Sequence, residues 1–214
     1  MTEKAKPVRV ESVNIGIPLP GLSTFGVTGI DKKPQPGRVA VHPLGLAGDH
    51  VVDTDHHGGP DQAVYAYCVE DYDWWEREGG RRFAVGTFGE NLTLSGIASA
   101  DMAAGDRLSC GDLVLEVTAP RIPCRTLAHH VGDKHFIAAF MKANRTGPYF
   151  RVISPGDVGA GDVFEHTPHP GERITLAELV ETYPYKTLDA GTVARFRAAP
   201  LHRKVLAELA ARYG

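Results

Sequence analysis

The residues of this chain best suited to chemistry sit in one short stretch, Pro120-Arg121-Ile122-Pro123-Cys124. A thiolate attacks electrophiles and binds soft metals, and a nearby cation favours the thiolate over the thiol. Arg121 and Arg125 supply such cations on either side of Cys124. The preceding residues, Leu113-Val114-Leu115-Glu116-Val117-Thr118, alternate apolar and polar as a half-buried strand does. Proline lacks an N–H and has a fixed φ, so Pro120 and Pro123 end that strand and deliver Cys124 on a stiff loop. The commoner fate of a free cysteine is a small, inert core residue. The two prolines and the arginines move the balance toward a site.

Two further stretches carry reactive or ligand-approaching groups. Asp53-Thr54-Asp55-His56-His57-Gly58-Gly59-Pro60-Asp61-Gln62 is dense in acids and imidazoles, and its paired glycines let the backbone approach a ligand closely. Phe88-Gly89-Glu90-Asn91-Leu92 is a glycine-led loop feeding a short strand. Histidines and carboxylates at short spacing suit zinc or manganese, which opens a hydrolase reading for Asp49, Asp53, Asp55, His56 and His57. No H-x-x-x-H or H-x-H pair supports it, so it ranks well below. Cys124 as a hydrolase nucleophile, with His129 and His130 nearby in sequence, is a further reading that spacing alone does not develop. His57 serves equally well as a turn residue or a ligand contact. Asp49 and Asp61 read as turn or cap residues, Glu90 as a ligand contact or a brace for its own loop, and Trp74 and Trp75 as packing.

The elements that must position these groups are mostly short strands. Val8 to Ile17 is β-branched and alternating, a first strand. Residues 18–37, rich in glycine and proline, read as a loop or irregular hairpin. Val39 to His42 is a short strand, and Ala63 to Tyr67 a core strand carrying Cys68 at its end. Val69 to Arg77, acidic early and basic late, reads as a helix. Gly105-Asp106 and Gly111-Asp112 bracket a hairpin strand from Arg107 to Cys110. Thr126 to His130 is one helical turn, Phe136 to Met141 a second helix with Asn144 to cap it, and Phe150 to Ile153 and Val163 to His166 are strands. After Pro168-His169-Pro170-Gly171 the pattern turns helical. Thr175 with Glu178 forms a capping box, Pro184 and Pro200 stop two helices, and Leu201, Val205 and Leu209 mark one face of a third. Three such short helices are marginal alone and need a surface to pack on. The predicted fold is mainly β, a closed barrel of mixed topology with inserted helices over residues 1–168, followed by a three-helix appendage over 169–214.

Length, charge and cysteine usage narrow the class. The 214 residues allow one ordinary domain plus a small addition. A formal charge of -3 argues against nucleic-acid binding, which needs a basic surface. Three cysteines with no C-x-x-C pair make neither a disulfide framework nor a zinc ribbon, and suit a reducing compartment. The N-terminal residues show no apolar signal core, and no apolar run approaches the length that spans a bilayer. A cytoplasmic protein is expected.

Taken together, Gly45-Leu46-Ala47-Gly48-Asp49, His57 to Tyr65, Phe88-Gly89-Glu90-Asn91-Leu92, Pro120 to Cys124, Arg145-Thr146-Gly147-Pro148-Tyr149 and Pro155 to Asp162 resemble a MOSC domain. That fold is named after the C-terminal domain of molybdenum cofactor sulfurase. The branch resembled is the bacterial YiiM-like one, which carries a C-terminal three-helix extension. The resemblance covers nearly the whole chain. It implies a β-barrel holding molybdenum cofactor, a molybdenum-bound pterin dithiolene with a terminal phosphate, with the cysteine matched by Cys124 as protein ligand to the metal. It also implies a cofactor pocket lined by His57, Gly58, Gly59, Gly89, Glu90, Asn91 and Leu92, with Arg121, Arg125 or Arg145 holding the phosphate in a locally positive cleft. Two positions depart from the pattern. Arg125-Thr126 follow the cysteine where relatives carry an aromatic and a lysine, and Gln62 stands where a lysine is common.

The activity implied by the resemblance is reduction of N-hydroxylated bases or amidoximes. Cys124 would fix the metal, and protons would arrive from His57, Asp61 or Glu90. The chain has no C-x-x-C, flavin or haem motif, so electrons need an external donor protein. Expected partners are therefore a small N-hydroxylated substrate, that donor and a second copy in a homodimer, without nucleic acid or membrane. A non-catalytic cofactor carrier or sulfur-transfer accessory would use the same pocket.

Overall fold

The computed structural model describes residues 7–20, 26–54 and 57–214. Asp55 and His56, two members of the hydrolase reading, lie outside the described residues, as do residues 1–6 and 21–25.

In chain order the strands are β1 (Val8–Gly16), β2 (Leu19–Pro20), β3 (Val27–Thr28), β4 (Lys32–Pro34), β5 (Arg38–His42), β6 (Gly45–Leu46), β7 (Val64–Cys68), β8 (Leu92–Ser95), β9 (Arg107–Cys110), β10 (Leu113–Pro120), β11 (Pro148–Ser154), β12 (Gly156–Gly159) and β13 (Val163–Thr167). The helices are α1 (Val69–Arg77), α2 (Arg125–Val131), α3 (Phe136–Ala143), α4 (Leu176–Thr182), α5 (Ala190–Ala198) and α6 (Arg203–Tyr213). Seven strands close a barrel in the order β1-β8-β7-β11-β10-β9-β13, and β13 returns to β1 through Val8 opposite Phe164. Every neighbouring pair is antiparallel except β7 and β8. A parallel pair needs a crossover, which α1 and the loop after it provide. The mixed barrel expected from the sequence is the fold observed.

Strand β4 pairs the far end of β1, opposite Asn14 to Gly16, and β12, β5 and β6 form a separate small sheet. Strand β4 falls in the stretch read from sequence as a loop or irregular hairpin, and β12 lies in the glycine-rich Pro155 to Asp162. Their pairing comes from partners distant in sequence, such as Val158 opposite Val39.

Strand β7 is buried along its whole length. Because successive side chains point to opposite faces, Val64, Ala66 and Cys68 enter one hydrophobic cluster while Tyr65 and Tyr67 enter another. The first cluster fills the barrel and continues without a break into the C-terminal helices, through Leu176, Leu179, Phe196, Leu201 and Leu209. The second is aromatic and gathers Tyr72 and Trp75 of α1, Phe88, and Phe136 and Phe140 of α3.

The C-terminal helices begin where capping chemistry dictates. Thr175 Oγ1 accepts the Glu178 N–H at 3.1 Å, and Asp189 Oδ1 accepts that of Thr192 at 2.9 Å. Such caps satisfy N–H groups that a helix start otherwise leaves unpaired. The buried Asp106 carboxylate takes both arms of Arg173, at 2.7 and 3.0 Å, and so ties the start of this segment to the barrel. Among the described residues no helix is long and apolar enough to cross a membrane.

Candidate functional site

Pro120 closes β10 opposite Pro148 of β11, and the Arg121 N–H holds the exit with a 3.0 Å bond to the Gly147 carbonyl. The Arg121 side chain turns inward and is 5 % exposed. One of its terminal nitrogens donates to the Phe88 carbonyl, and its Cζ lies 4.8 Å from the Tyr65 ring centre. Three residues on, Cys124 is the N-cap of α2, in extended backbone with φ -118° and ψ 171°. The stiff, non-ladder loop read from the two prolines is what places this thiol.

Cys124 lines a cleft of about 130 Å³ together with Arg121, His57, Asn91, Lys32 and Asp49. Partial burial opposes ionisation of its thiol. The His57 side-chain hydrogen bond, the Arg121 charge and a backbone N–H from Leu127 overcome that penalty and bring the thiol down to about 6. Cys124 is therefore largely thiolate at neutral pH, which is the reactive and metal-ligating form. Cys68, in contrast, is fully buried in the barrel core and its thiol is pushed up by burial.

The loops around the thiol are shaped by close approach. Gly58 has φ +74°, and a Cβ there would sit 3.2 Å from Val51 Cγ1. Gly89 has the same φ, and a Cβ there would come within 2.9 Å of Ile30 Cγ1. Both positions need glycine for backbone conformation and for space. The His57 N–H is held by the Asp53 carbonyl at 2.9 Å. Also in the cleft lining, the Lys32 ammonium is bonded to both oxygens of Asp49. Asp49 also accepts the Gly16 N–H at 2.8 Å and the Asn91 amide at 2.9 Å. Burial lowers the Lys32 pKa, against the pull of Asp49.

Of the residues singled out in the sequence, the fold brings Asp49, Asp53, His57, Gly58, Gln62, Gly89, Asn91, Arg121 and Cys124 to the cleft. Gly59, Asp61, Glu90, Leu92, Arg125 and Arg145 do not line it. Arg145 pairs with the buried Asp71 at 2.9 Å and lies over Trp74, 5.2 Å from the ring centre. Burial raises the Asp71 pKa, and Arg145 and Ser99 counter it. Arg125 is exposed on α2, and Leu92 is a core residue of β8. Glu90 is fully buried, where its Oε1 accepts from the Tyr72 hydroxyl at 2.6 Å, the Gly86 N–H at 2.7 Å and the Thr93 hydroxyl at 3.1 Å. It braces its own loop from behind. Asp61 accepts the Arg203 N–H at 2.9 Å and the Arg203 guanidinium at 3.0 Å, with Arg151 at 3.2 Å. It clamps the start of α6 to the barrel.

The expected positive excess is also corrected. Among the described residues, Lys32 and Arg121 in the lining are matched by Asp49 and Asp53. Lys32, Tyr65 and Tyr149 are cleft residues that sequence reasoning passed over. Lys32 lies in a stretch with no periodicity to read; Tyr65 reads as core, which it also is, and Tyr149 stands at the end of a stretch read as a turn but is buried in β11. Among the described residues no three His, Cys, Asp or Glu side chains gather as a metal-binding group.

A seven-stranded mixed barrel thus carries an acidified thiol at the wall of a polar cleft. Residues 53–165 match the MOSC domain model, and the chain belongs to the MOSC domain family. It is 37% identical over 165 residues to YflK of Bacillus subtilis (strain 168), covering 76% of this chain and 75% of that one. It superposes on the crystal structure of YiiM from Geobacillus stearothermophilus with a TM-score of 0.81 at 28% identity, covering 97% of this chain and 100% of that one. A protein of Gibberella moniliformis (strain M3125 / FGSC 7600) named "Reductase" is 28% identical over 178 residues, which are 81% of this chain and 29% of that longer protein.

MOSC domains are associated with molybdenum cofactor. The cleft suits such a group in its donor set. A soft thiolate is the right partner for a sulfur-bound metal. Two cleft residues also hold buried polar atoms with no hydrogen-bond partner among the described residues, the donor Arg121 Nε and the acceptor Gln62 Oε1. A pterin carrying a phosphate offers acceptors to the first and N–H groups to the second.

Proposed function

We propose that this protein is a molybdenum-cofactor-dependent oxidoreductase that cleaves N–O bonds in N-hydroxylated bases or amidoximes. The observation that carries the reading is the Cys124 thiol, brought down to about 6 at the wall of a polar cleft by His57 and the buried Arg121. Membership of the MOSC family and the name "Reductase" borne by the longer relative support it.

Cys124 would ligate the metal, while Arg121 and the backbone beside Gly58 and Gly89 would hold the pterin and its anionic end. When bound, the cofactor supplies two-electron chemistry and a site that accepts the substrate oxygen. The chain's own residues do the rest. His57 keeps the Cys124 sulfur oriented and ionised, the aromatic cluster beside Arg121 keeps the guanidinium desolvated, and the bonded group of Lys32, Asp49 and Asn91 adds a fixed polar patch to the lining. Electrons come from an external donor protein.

The test uses protein made in cells that synthesise the cofactor, a chemical electron donor, and 6-hydroxylaminopurine, benzamidoxime and simple sulfoxides as substrates. Turnover of the N-hydroxylated compounds is expected, with loss of both turnover and bound molybdenum in Cys124→Ser. Molybdenum-loaded, reducible protein that turns over none of them makes it a cofactor carrier instead. Stoichiometric zinc without molybdenum points to the hydrolase reading.

A further inference from the structure

We infer that Lys32 is the catalytic acid of this cleft, donating the proton that lets the substrate oxygen leave. The inference rests on the N–O reduction proposed above. It starts from a gap: of the three proton sources expected, Asp61 and Glu90 lie outside the cleft, and His57 is committed to the Cys124 sulfur. Lys32 lines the cleft, and its side chain is 8 % exposed.

An ammonium has three N–H bonds. Asp49 takes two of those of Lys32, and among the described residues no partner takes the third. Asp49 is itself immobilised by Gly16 and Asn91, so the lysine is aimed rather than free to swing. Burial makes the ammonium a stronger acid than an exposed lysine, and the Arg121 charge adds to that effect. Asp49 keeps it protonated until a better base appears. An oxygen departing from nitrogen is such a base.

The overall change is R–NH–OH plus two electrons and two protons, giving R–NH₂ and water. The N–O bond breaks, nitrogen gains one hydrogen, and the oxygen leaves as water. Both electrons come from the external donor protein of the proposed function, and the proton taken up by nitrogen comes from solvent. Lys32 gives one proton to the oxygen and is reprotonated from solvent at the cleft mouth.

Three variants in full-length, cofactor-loaded protein test this. Lys32→Arg keeps the charge and the Asp49 pair but does not release a proton at neutral pH. Lys32→Met removes the charge. Lys32→Met/Asp49→Asn removes the pair together, so that no buried carboxylate is stranded and the protein folds. Molybdenum content and KM for benzamidoxime are expected to stay near wild type in all three, while kcat falls on the order of 10²-fold or more. A second readout is independent of turnover. After reductive ¹³C-methylation, the NMR signal lost in Lys32→Met is expected to titrate below those of exposed lysines. Wild-type-like kcat in Lys32→Arg, molybdenum loss in the folded Lys32→Met/Asp49→Asn protein, or a Lys32 signal titrating with the exposed lysines overturns the assignment while N–O reduction stands. Loaded wild-type protein that reduces no N-hydroxylated compound overturns both.

Discussion

The two sides of β7 show how one strand serves two purposes. On one side, Val64, Ala66 and Cys68 join a mostly aliphatic cluster that fills the barrel and runs on into α4, α5 and α6. On the other, Tyr65 and Tyr67 join a cluster made almost wholly of aromatic rings. Aliphatic packing is non-directional and gives a scaffold. The aromatic side carries polar handles. The Trp75 indole donates to the Tyr67 hydroxyl at 2.8 Å, and Tyr65 donates to the Thr146 carbonyl at 2.8 Å. Phe88, central to this cluster, also presents its carbonyl to Arg121. Large rigid rings with few rotamers hold a buried cation and a thiol in place at small entropic cost. Loss on the scaffold side is therefore expected to leave the cleft unchanged, and loss on the aromatic side to disturb it.

The largest test of that contrast truncates one ring on each side. Phe88→Ala and Phe196→Ala each remove a fully buried ring and are expected to destabilise the fold by about 3–5 kcal/mol in denaturant titrations. Only Phe88→Ala is expected to slow alkylation of Cys124 at neutral pH, because the Phe88 ring anchors the backbone carbonyl to which Arg121 donates. Equal alkylation in the two variants breaks the contrast.

Next in size is Arg145→Met, which strands the buried Asp71 carboxylate and is expected to cost about 3 kcal/mol. Adding Asp71→Asn recovers most of it. Molybdenum content is expected to be unchanged, since Arg145 does not line the cleft. A molybdenum-free Arg145→Met that remains folded would falsify that placement.

Asp61 belongs to the scaffold side. Partial burial opposes its ionisation, but the backbone and guanidinium of Arg203, with Arg151, hold its carboxyl below the ordinary range. Its contribution is therefore present above the unfolded carboxyl pKa of about 4. It is lost as pH falls through the lower folded value. Asp61→Asn is expected to cost about 2 kcal/mol near neutrality. It should also flatten the acid limb of a stability–pH curve, with kcat untouched. An unchanged acid limb removes Asp61 from the account.

The smallest effect on stability is His57→Ala. Loss of its hydrogen bond moves the Cys124 alkylation midpoint from about 6 up toward the ordinary thiol value, near 8.5. A midpoint that stays put assigns the shift to Arg121 and the Leu127 N–H alone.

Local sequence determined much of this architecture. Period-two alternation marks β1 and β10, the capping box at Thr175 starts α4, and the prolines at 120 and 123 end a strand and seat Cys124 at the head of α2. Those features depend on neighbours within a few residues, so composition and spacing reveal them. The glycine requirement at Gly58 and Gly89 was also legible, because few other residues serve a loop that approaches another closely. Only the tertiary structure decided which acids and bases share the cleft. Asp61, Glu90 and Arg145 carry the same groups as true cleft residues. Their side chains are claimed instead by Arg203 and Arg151, by Tyr72, Gly86 and Thr93, and by Asp71. Lys32 gave no signal in its own stretch, because β4 forms only by pairing with β1 and its ammonium is fixed by an aspartate 17 residues away. Charge placement inside a barrel is set by long-range closure, and closure is a property that no short window of sequence contains.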